Sequence, residues 1–549
     1  MRGKICVLLG QSIKKPVAAV TTFTSGPVWA STCIFVLCCA VLPQVGAAEE
    51  MSFAPQQIQA TKPESGEMKA ALADYNKGLY FDATRKLHNV VEGTTNDGEN
   101  TKRKAEFWLG KSLYKLGYFS SSFGYFDRVV QAGNGHPYYE KTLKWLAGLS
   151  HKLPQSFGIL ELIGKYDEGS VADPEVADVR DELSYLLGKF KYSKGDFKSA
   201  IALFRQVPAN SPYANRAKFM EGTAYVRDYQ AKPAATAFKE LLRRGEEGKQ
   251  SDDSRYFVEL ANLSLARVFY ATGQHELSVK YYHKIPRWST RWPEALFESS
   301  WSHYMLDEFD FALGNIHSVN SSYFANYYYP ESMILKAVIY WKNCMYDEAH
   351  AAINEFNGRF SRVRGNIDDV FNKYQDPSDF FELAQKVRAG KLRKNDDVTT
   401  LIQSTLADME VERSFIYVDE IELELENLKK APKAWKAAPI ASTILQDLSL
   451  QKSLAINNAG ELSQSRLKRL SREIAELQKQ AFTVEYETLN GEKNTLNSSL
   501  RNEQVIDSPD RRKKRAKIHD DYYIWKFKGE YWRDEIGFYR VPIRSQCTR

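Results

Sequence analysis

The sequence predicts an all-α chain in which a helix-turn-helix solenoid is followed by a helical hairpin or coiled coil and a short aromatic-rich tail. Three observations predict it. The stretch from Tyr185 to Pro212 reads as one complete unit: Leu187, Gly188 and Tyr192 on a first helix, Gly195 at a turn, then Phe197, Ala200, Phe204 and Val207 at helical spacing before a proline. The unit's small residue recurs, with Gly188 and Gly222 34 residues apart and Ala266 and Ser300 also 34 apart. Beyond residue 398 the chain is glycine-poor and rich in Leu, Glu, Lys and Gln, with Leu470, Ile474, Leu477, Ala481 and Val484 alternating steps of four and three.

Leu-Gly, an aromatic after it, a turn glycine, then Ala, an aromatic and a proline over 34 residues resembles the tetratricopeptide repeat (TPR) superfamily. Small residues at Gly188 and Ala200 let antiparallel helices approach while Phe204 fills the gap. The resemblance implies an all-helical solenoid that binds partners.

Taken in order, residues 1–48 read as a secretory signal peptide. Arg2, Lys4, Lys14 and Lys15 precede an apolar run from Val28 to Leu42, and Val45 to Ala48 forms a small-residue cleavage site. An uncleaved inner-membrane anchor is the alternative. Val36 to Cys39 lacks the small residue that a lipidation box needs before its cysteine. The formal charge of +6 reflects this leader: without its four cations, 71 basic side chains stand against 69 acidic ones, which does not argue for nucleic acid.

Residues 49–66 read as a linker, and 67–360 as about eight repeats. Repeat one carries Gly78, Tyr80, Ala83 and Leu87, and a polar insertion, 92–101, follows it. Repeat two is marked by Gly110, Gly117 and Phe126. Repeat three is irregular, with Pro154 at its turn. Repeat five has Gly222 and Phe238, then a charged insertion at 243–253; repeats six to eight are marked by Ala266, Ser300 and Ala337. Residues 361–397 read as a polar connector with one amphipathic piece around Phe380 to Val387. Residues 398–505 form the hairpin or coiled coil, divided at Pro432 and Pro439, and allow self-association. Residues 506–549 are a basic hinge (Arg511 to Lys517) and an aromatic tail, expected to dock on the solenoid partly as short strands.

No H-E-x-x-H, G-x-S-x-G, phosphate-binding loop or C-x-x-C occurs, so the sequence implies no enzyme, metal or cofactor. Counting the small residue as position eight, position twelve of each repeat is expected to line a concave groove: Tyr114, Tyr192, Val226, Tyr270, Tyr304 and Trp341. Lys111, Lys189, Arg227 and Arg267 flank that row, a pattern suited to an acidic or aromatic-bearing peptide. Packing between repeats, or under the tail, is the alternative role for the row. After the leader, Cys344 and Cys547 are the two remaining cysteines and are expected to form a disulfide in an oxidising compartment.

By resemblance, periplasmic proteins of this type are adaptors in bacterial envelope and gliding-motility machines, so the sequence implies an exported scaffold that binds protein partners. A peptidoglycan or other glycan binder, with the aromatic row stacked on sugar faces, is the alternative.

Overall fold

A computed structural model describes residues 63–154, 157–247, 252–324, 327–391, 397–501 and 527–547. The leader, most of the linker and the basic run from Arg511 to Lys517 lie outside the described residues. Everything that follows belongs to one compact unit, Pro63–Arg549.

Helices stack in antiparallel pairs: α1 (Gly66–Asn76) with α2 (Tyr80–Val91), and α3 (Glu99–Leu116) with α4 (Phe119–Gln131). Repeat three keeps α5 (Tyr139–Ser150) but replaces a full second helix with two single turns, α6 (Ile159–Ile163) and α7 (Glu168–Ala172). The pairing resumes with α8 (Arg180–Ser193) and α9 (Phe197–Gln206), α10 (Ala214–Arg227) and α11 (Ala231–Glu247), α12 (Asp252–Ala271) and α13 (His275–Tyr282). It ends with α14 (Trp292–Met305) and α15 (Phe309–Val319), then α16 (Glu331–Lys342) and α17 (Tyr346–Lys373).

The repeat is built on a pair of positions sixteen residues apart. A Cβ on Gly110, Gly188 or Gly222 would lie 2.9, 2.6 and 2.5 Å from the ring of Phe126, Phe204 and Phe238 respectively. Each phenylalanine therefore occupies the volume its glycine vacates. Where the first position is Ala266, Ser300 or Ala337, the second is Tyr282, Ile316 or Ile353, all buried.

The turns share a second constraint. Gly78, Gly117, Gly195 and Gly273 hold left-handed backbone between the two helices of their repeats, and Tyr229, Asp307 and Cys344 hold the same conformation in repeats five, seven and eight. A side chain there costs about 1–2 kcal/mol.

α17 runs unbroken for 28 residues, so a boundary at 360 falls inside a helix, and residues 361–373 are not a connector. Phe360, Ile367 and Val370 explain this, since each is buried although the stretch is mostly polar. The helix that carries them packs against the last long helix. After α18 (Pro377–Arg388) and α19 (Asp397–Leu406), the expected hairpin is formed by α20 (Met409–Lys430), the short α21 (Lys433–Lys436) and the 63-residue α22 (Pro439–Arg501).

The seam from Leu470 to Val484 is buried within the chain. α22 runs antiparallel to α17: Gln478 meets Ser361 and Arg364, Gln464 donates to the Tyr374 and Gln375 carbonyls, and Glu492 lies 3.3 Å from His350. This seam does not pair chains; the solenoid's last repeat covers it.

The hairpin's other end reaches the first repeats. Trp435 donates to Thr84 Oγ1 at 2.9 Å and packs between Phe81 and Tyr118, and Tyr417 meets Phe157 edge-on.

The described part of the tail, 527–547, docks on α15 as irregular backbone and not as strands. A helical surface offers no ladder of free N–H and C=O groups, so side chains and stray carbonyls satisfy the tail instead. Arg287 donates to the carbonyls of Arg533, Asp534 and Ile536, Gly537 N–H donates to Ser318 Oγ, and Val541 N–H donates to the Asp310 carbonyl. Ile536 is fully buried among Trp292, Val319 and Phe324.

Candidate functional site

The position-twelve aromatics sit in the last turn of each first helix, and five residues later the second helix begins. That spacing folds one ring onto the next residue across the turn. Tyr114 meets Phe119 at 5.3 Å, Tyr192 meets Phe197 at 5.6 Å, Tyr270 meets His275 at 5.3 Å and Tyr304 meets Phe309 at 5.9 Å; Tyr75 and Tyr80 repeat the contact in repeat one. The row is thus largely a set of turn staples.

Burial differs along it. Tyr270 and Tyr304 are 5% exposed, and burial pushes both hydroxyls up to about 12. Neither has a ring face to offer a sugar. Tyr114, Tyr192 and Trp341 are half-buried, and Tyr114 also packs on Trp145. Val226 is 41% exposed.

The flanking cations divide as well. Arg267 is committed inside the chain, 2.5 Å from Glu294 and 2.8 Å from Glu298, whose carboxylate also accepts from Tyr282. Lys111 lies over Trp108 at 3.6 Å, with Tyr75, Phe107 and Trp145 within 5.4 Å, and burial lowers its ammonium to about 8. Lys189 is lowered to about 8 by burial and by Arg413 and Arg216. Arg227 is exposed, 5.9 Å from the Phe197 ring. Among the described residues, no carboxylate forms an ion pair with Lys111, Lys189 or Arg227.

Repeat five therefore departs from its neighbours. Where they place an aromatic, it presents Val226 and Arg227, and at its turn Tyr229 is 97% exposed with φ 58°. Tyr229 escapes the helical pattern because it sits two positions beyond the helix, where neighbouring repeats have glycine. The 34-residue offset from Gly195 is the signal that marks it.

The edge formed by these turns is already used elsewhere in the chain. Glu424 of α20 is buried against the start of α4, where its Oε1 accepts from Ser120 N and Oγ, both at 2.8 Å. At repeat eight, Gln546 N–H donates to the Asn343 carbonyl, and Cys344 and Cys547 form a disulfide with an S–S distance of 2.04 Å. The described part of the tail follows α15 to this turn.

Among the described residues, no group of three or more His, Cys, Asp or Glu side chains could hold a metal ion, and no helix is long and apolar enough to cross a membrane.

No protein-family model matches the sequence, and no curated protein does. Among solved structures, the TPR domain of P58(IPK) is similar at 12% identity, covering 69% of this chain and 97% of that one with a TM-score of 0.17. Yeast Tom70 is similar at 12% identity, covering 70% and 89% with a TM-score of 0.18. A circular tandem repeat protein with a novel repeat topology is similar at 11% identity, covering 80% and 90% with a TM-score of 0.10. Superpositions at such scores carry no argument. The all-α, tetratricopeptide-like character of the solenoid rests on its own serial helix pairs, glycine–aromatic packing and turn geometry.

Proposed function

We propose that the protein is a non-enzymatic scaffold, exported through its leader, that binds protein partners in a bacterial envelope complex. The surface we assign to the partner is repeat five and the turn edge beside it. The observation that carries this reading is the trio Val226, Arg227 and Tyr229: an exposed apolar side chain, a cation without a carboxylate partner among the described residues, and an almost fully exposed tyrosine on left-handed backbone. Tyr229 holds the turn position where repeats four and six have glycine, and tyrosine and arginine are the side chains that most often anchor interfaces.

An acidic segment with an apolar side chain fits these groups. Lys189, one repeat earlier, would regain the charge stabilisation that burial removes.

The test is a photo-crosslinker at Val226 of the full chain in its native cells. A discrete protein adduct that disappears with Lys189→Glu plus Arg227→Glu supports the reading. Adducts to cell-wall polymer alone, or a protein adduct indifferent to both charge reversals, refute it.

A further inference from the structure

The buried seam of α22 has a counterpart on its opposite side. Phe482, Tyr486, Leu489, Leu496 and Leu500 are 69, 57, 53, 63 and 78% exposed. Their spacing, with Lys493 included, alternates four and three residues, the repeat of a coiled-coil stripe. At 3.6 residues per turn this stripe lies roughly 140–180° around the helix from the seam covered by α17. Gly491 marks that covered side, where an added Cβ would lie 2.6 Å from the Tyr346 hydroxyl. Lys493 to Ser498 and Leu500 are all exposed, so the end of α22 passes beyond its support.

The geometry points to a second copy of this chain as the occupant, paired antiparallel through residues 482–500. Two arguments select it. The five apolar side chains expose roughly 700 Å² per copy, so mutual cover removes about 1,400 Å² from water, within the roughly 1,200–2,000 Å² that stable interfaces bury. The second is the symmetry of the stripe about residue 491. Antiparallel pairing sets Phe482 opposite Leu500 of the second copy, Tyr486 opposite its Leu496, and Leu489 opposite its Lys493. A parallel pair in register would stack Lys493 on Lys493 inside the seam, whereas the antiparallel pair lays the lysine stem along leucine and leaves its ammonium at the edge.

The solenoid covers the other side of α22 beside Gly491 and leaves the stripe clear. The result is a scaffold with two copies of every partner surface, an inference that does not depend on what repeat five binds.

The test uses the full-length chain in analytical ultracentrifugation between about 1 and 100 µM, beside Leu489→Glu plus Leu496→Glu. Both positions are exposed, so the variant should keep the helix content and melting temperature of the parent. A dimer whose dissociation constant rises at least about 100-fold in the variant is the expected result. A parent that stays monomeric at 100 µM, or a dimer unaffected by the two glutamates, overturns the proposal. Orientation is read by mixing Leu489→Cys and Lys493→Cys chains under oxidation. The mixed crosslink supports antiparallel pairing, and crosslinks only between like chains overturn it.

Discussion

Replacing Glu424 with glutamine should remove a pH dependence from the docking of the hairpin. The Glu424 carboxyl is 2% exposed, and burial pushes it from 4.5 up to about 7, against the bonds from Ser120; the nearby Glu420 adds to the rise. Among the described residues its Oε2 has no hydrogen-bond partner. A carboxyl moved that far costs its charged form roughly 3 kcal/mol in the folded state. Because the folded value lies above the unfolded one, this cost is absent below pH 4.5 and complete above pH 7, so stability falls as pH rises. Between pH 5 and pH 8 the loss is roughly 2–3 kcal/mol. Buried histidines act the other way: burial lowers His88, His136, His283, His303 and His317, and their contribution is lost as pH falls. They are common to parent and variant, so the difference between the two isolates Glu424. Hydrogen exchange of α20 and the first turn of α4, measured at pH 5 and pH 8, reads the local opening. Glutamine keeps the acceptor for Ser120 but buries an unpartnered amide, at about 1–3 kcal/mol. The variant should therefore open more readily than the parent at pH 5 and lose that disadvantage at pH 8. Parallel pH dependence in the two proteins would refute the argument.

Three further outcomes follow from the packing. Gly222→Ala forces a methyl to within 2.5 Å of Phe238 and should destabilise by about 1–2 kcal/mol, whereas Gly358→Ala, on open helix surface, should stabilise by about 0.5–1 kcal/mol; paired thermal melts check the contrast. Tyr229→Gly relieves left-handed strain without removing packing, so it should hold or raise the melting temperature by up to about 1 kcal/mol equivalent while weakening capture of a partner at repeat five; a clear fall in melting temperature would contradict the geometry. The Cys344–Cys547 bond closes a separation of 203 residues, for which chain entropy allows about 5 kcal/mol; reduction should raise exchange at 527–547 first and cost less than this in global denaturation, because Arg287 and Ile536 also hold the tail.

The solenoid was legible because its signals are local. A glycine, an aromatic and a turn glycine recur at fixed offsets, and each does its work within one helix pair. The hairpin was legible as helices for the same reason, but its docking was not. Nothing distinguishes Glu424 from the other glutamates of a Glu-rich helix until Ser120, 304 residues away, is placed against it. The polar connector failed through sparseness: Phe360, Ile367 and Val370 are too few to mark a helical face by composition, yet all are buried. The aromatic row was found at the right positions and assigned a groove role, while its ring contacts show stapling at five-residue spacing. The residues that stand out at repeat five are the ones that break the pattern.

A stacked repeat array has mainly nearest-neighbour contacts, so its stability is a sum of local terms and any repeat can open without consulting distant ones. α22 changes this. One continuous helix rests on repeat eight through Tyr346 and His350, and its hairpin partner and the short α21 rest on repeats one and two through Ser120 and Thr84. Opening either end of the solenoid then breaks contacts with the same hairpin, and the two ends become coupled through it. Repeat five lies between these braced ends. A partner seated at Val226, Arg227 and Tyr229 would therefore meet a surface whose spacing is set from both sides, which lowers the ordering cost of binding.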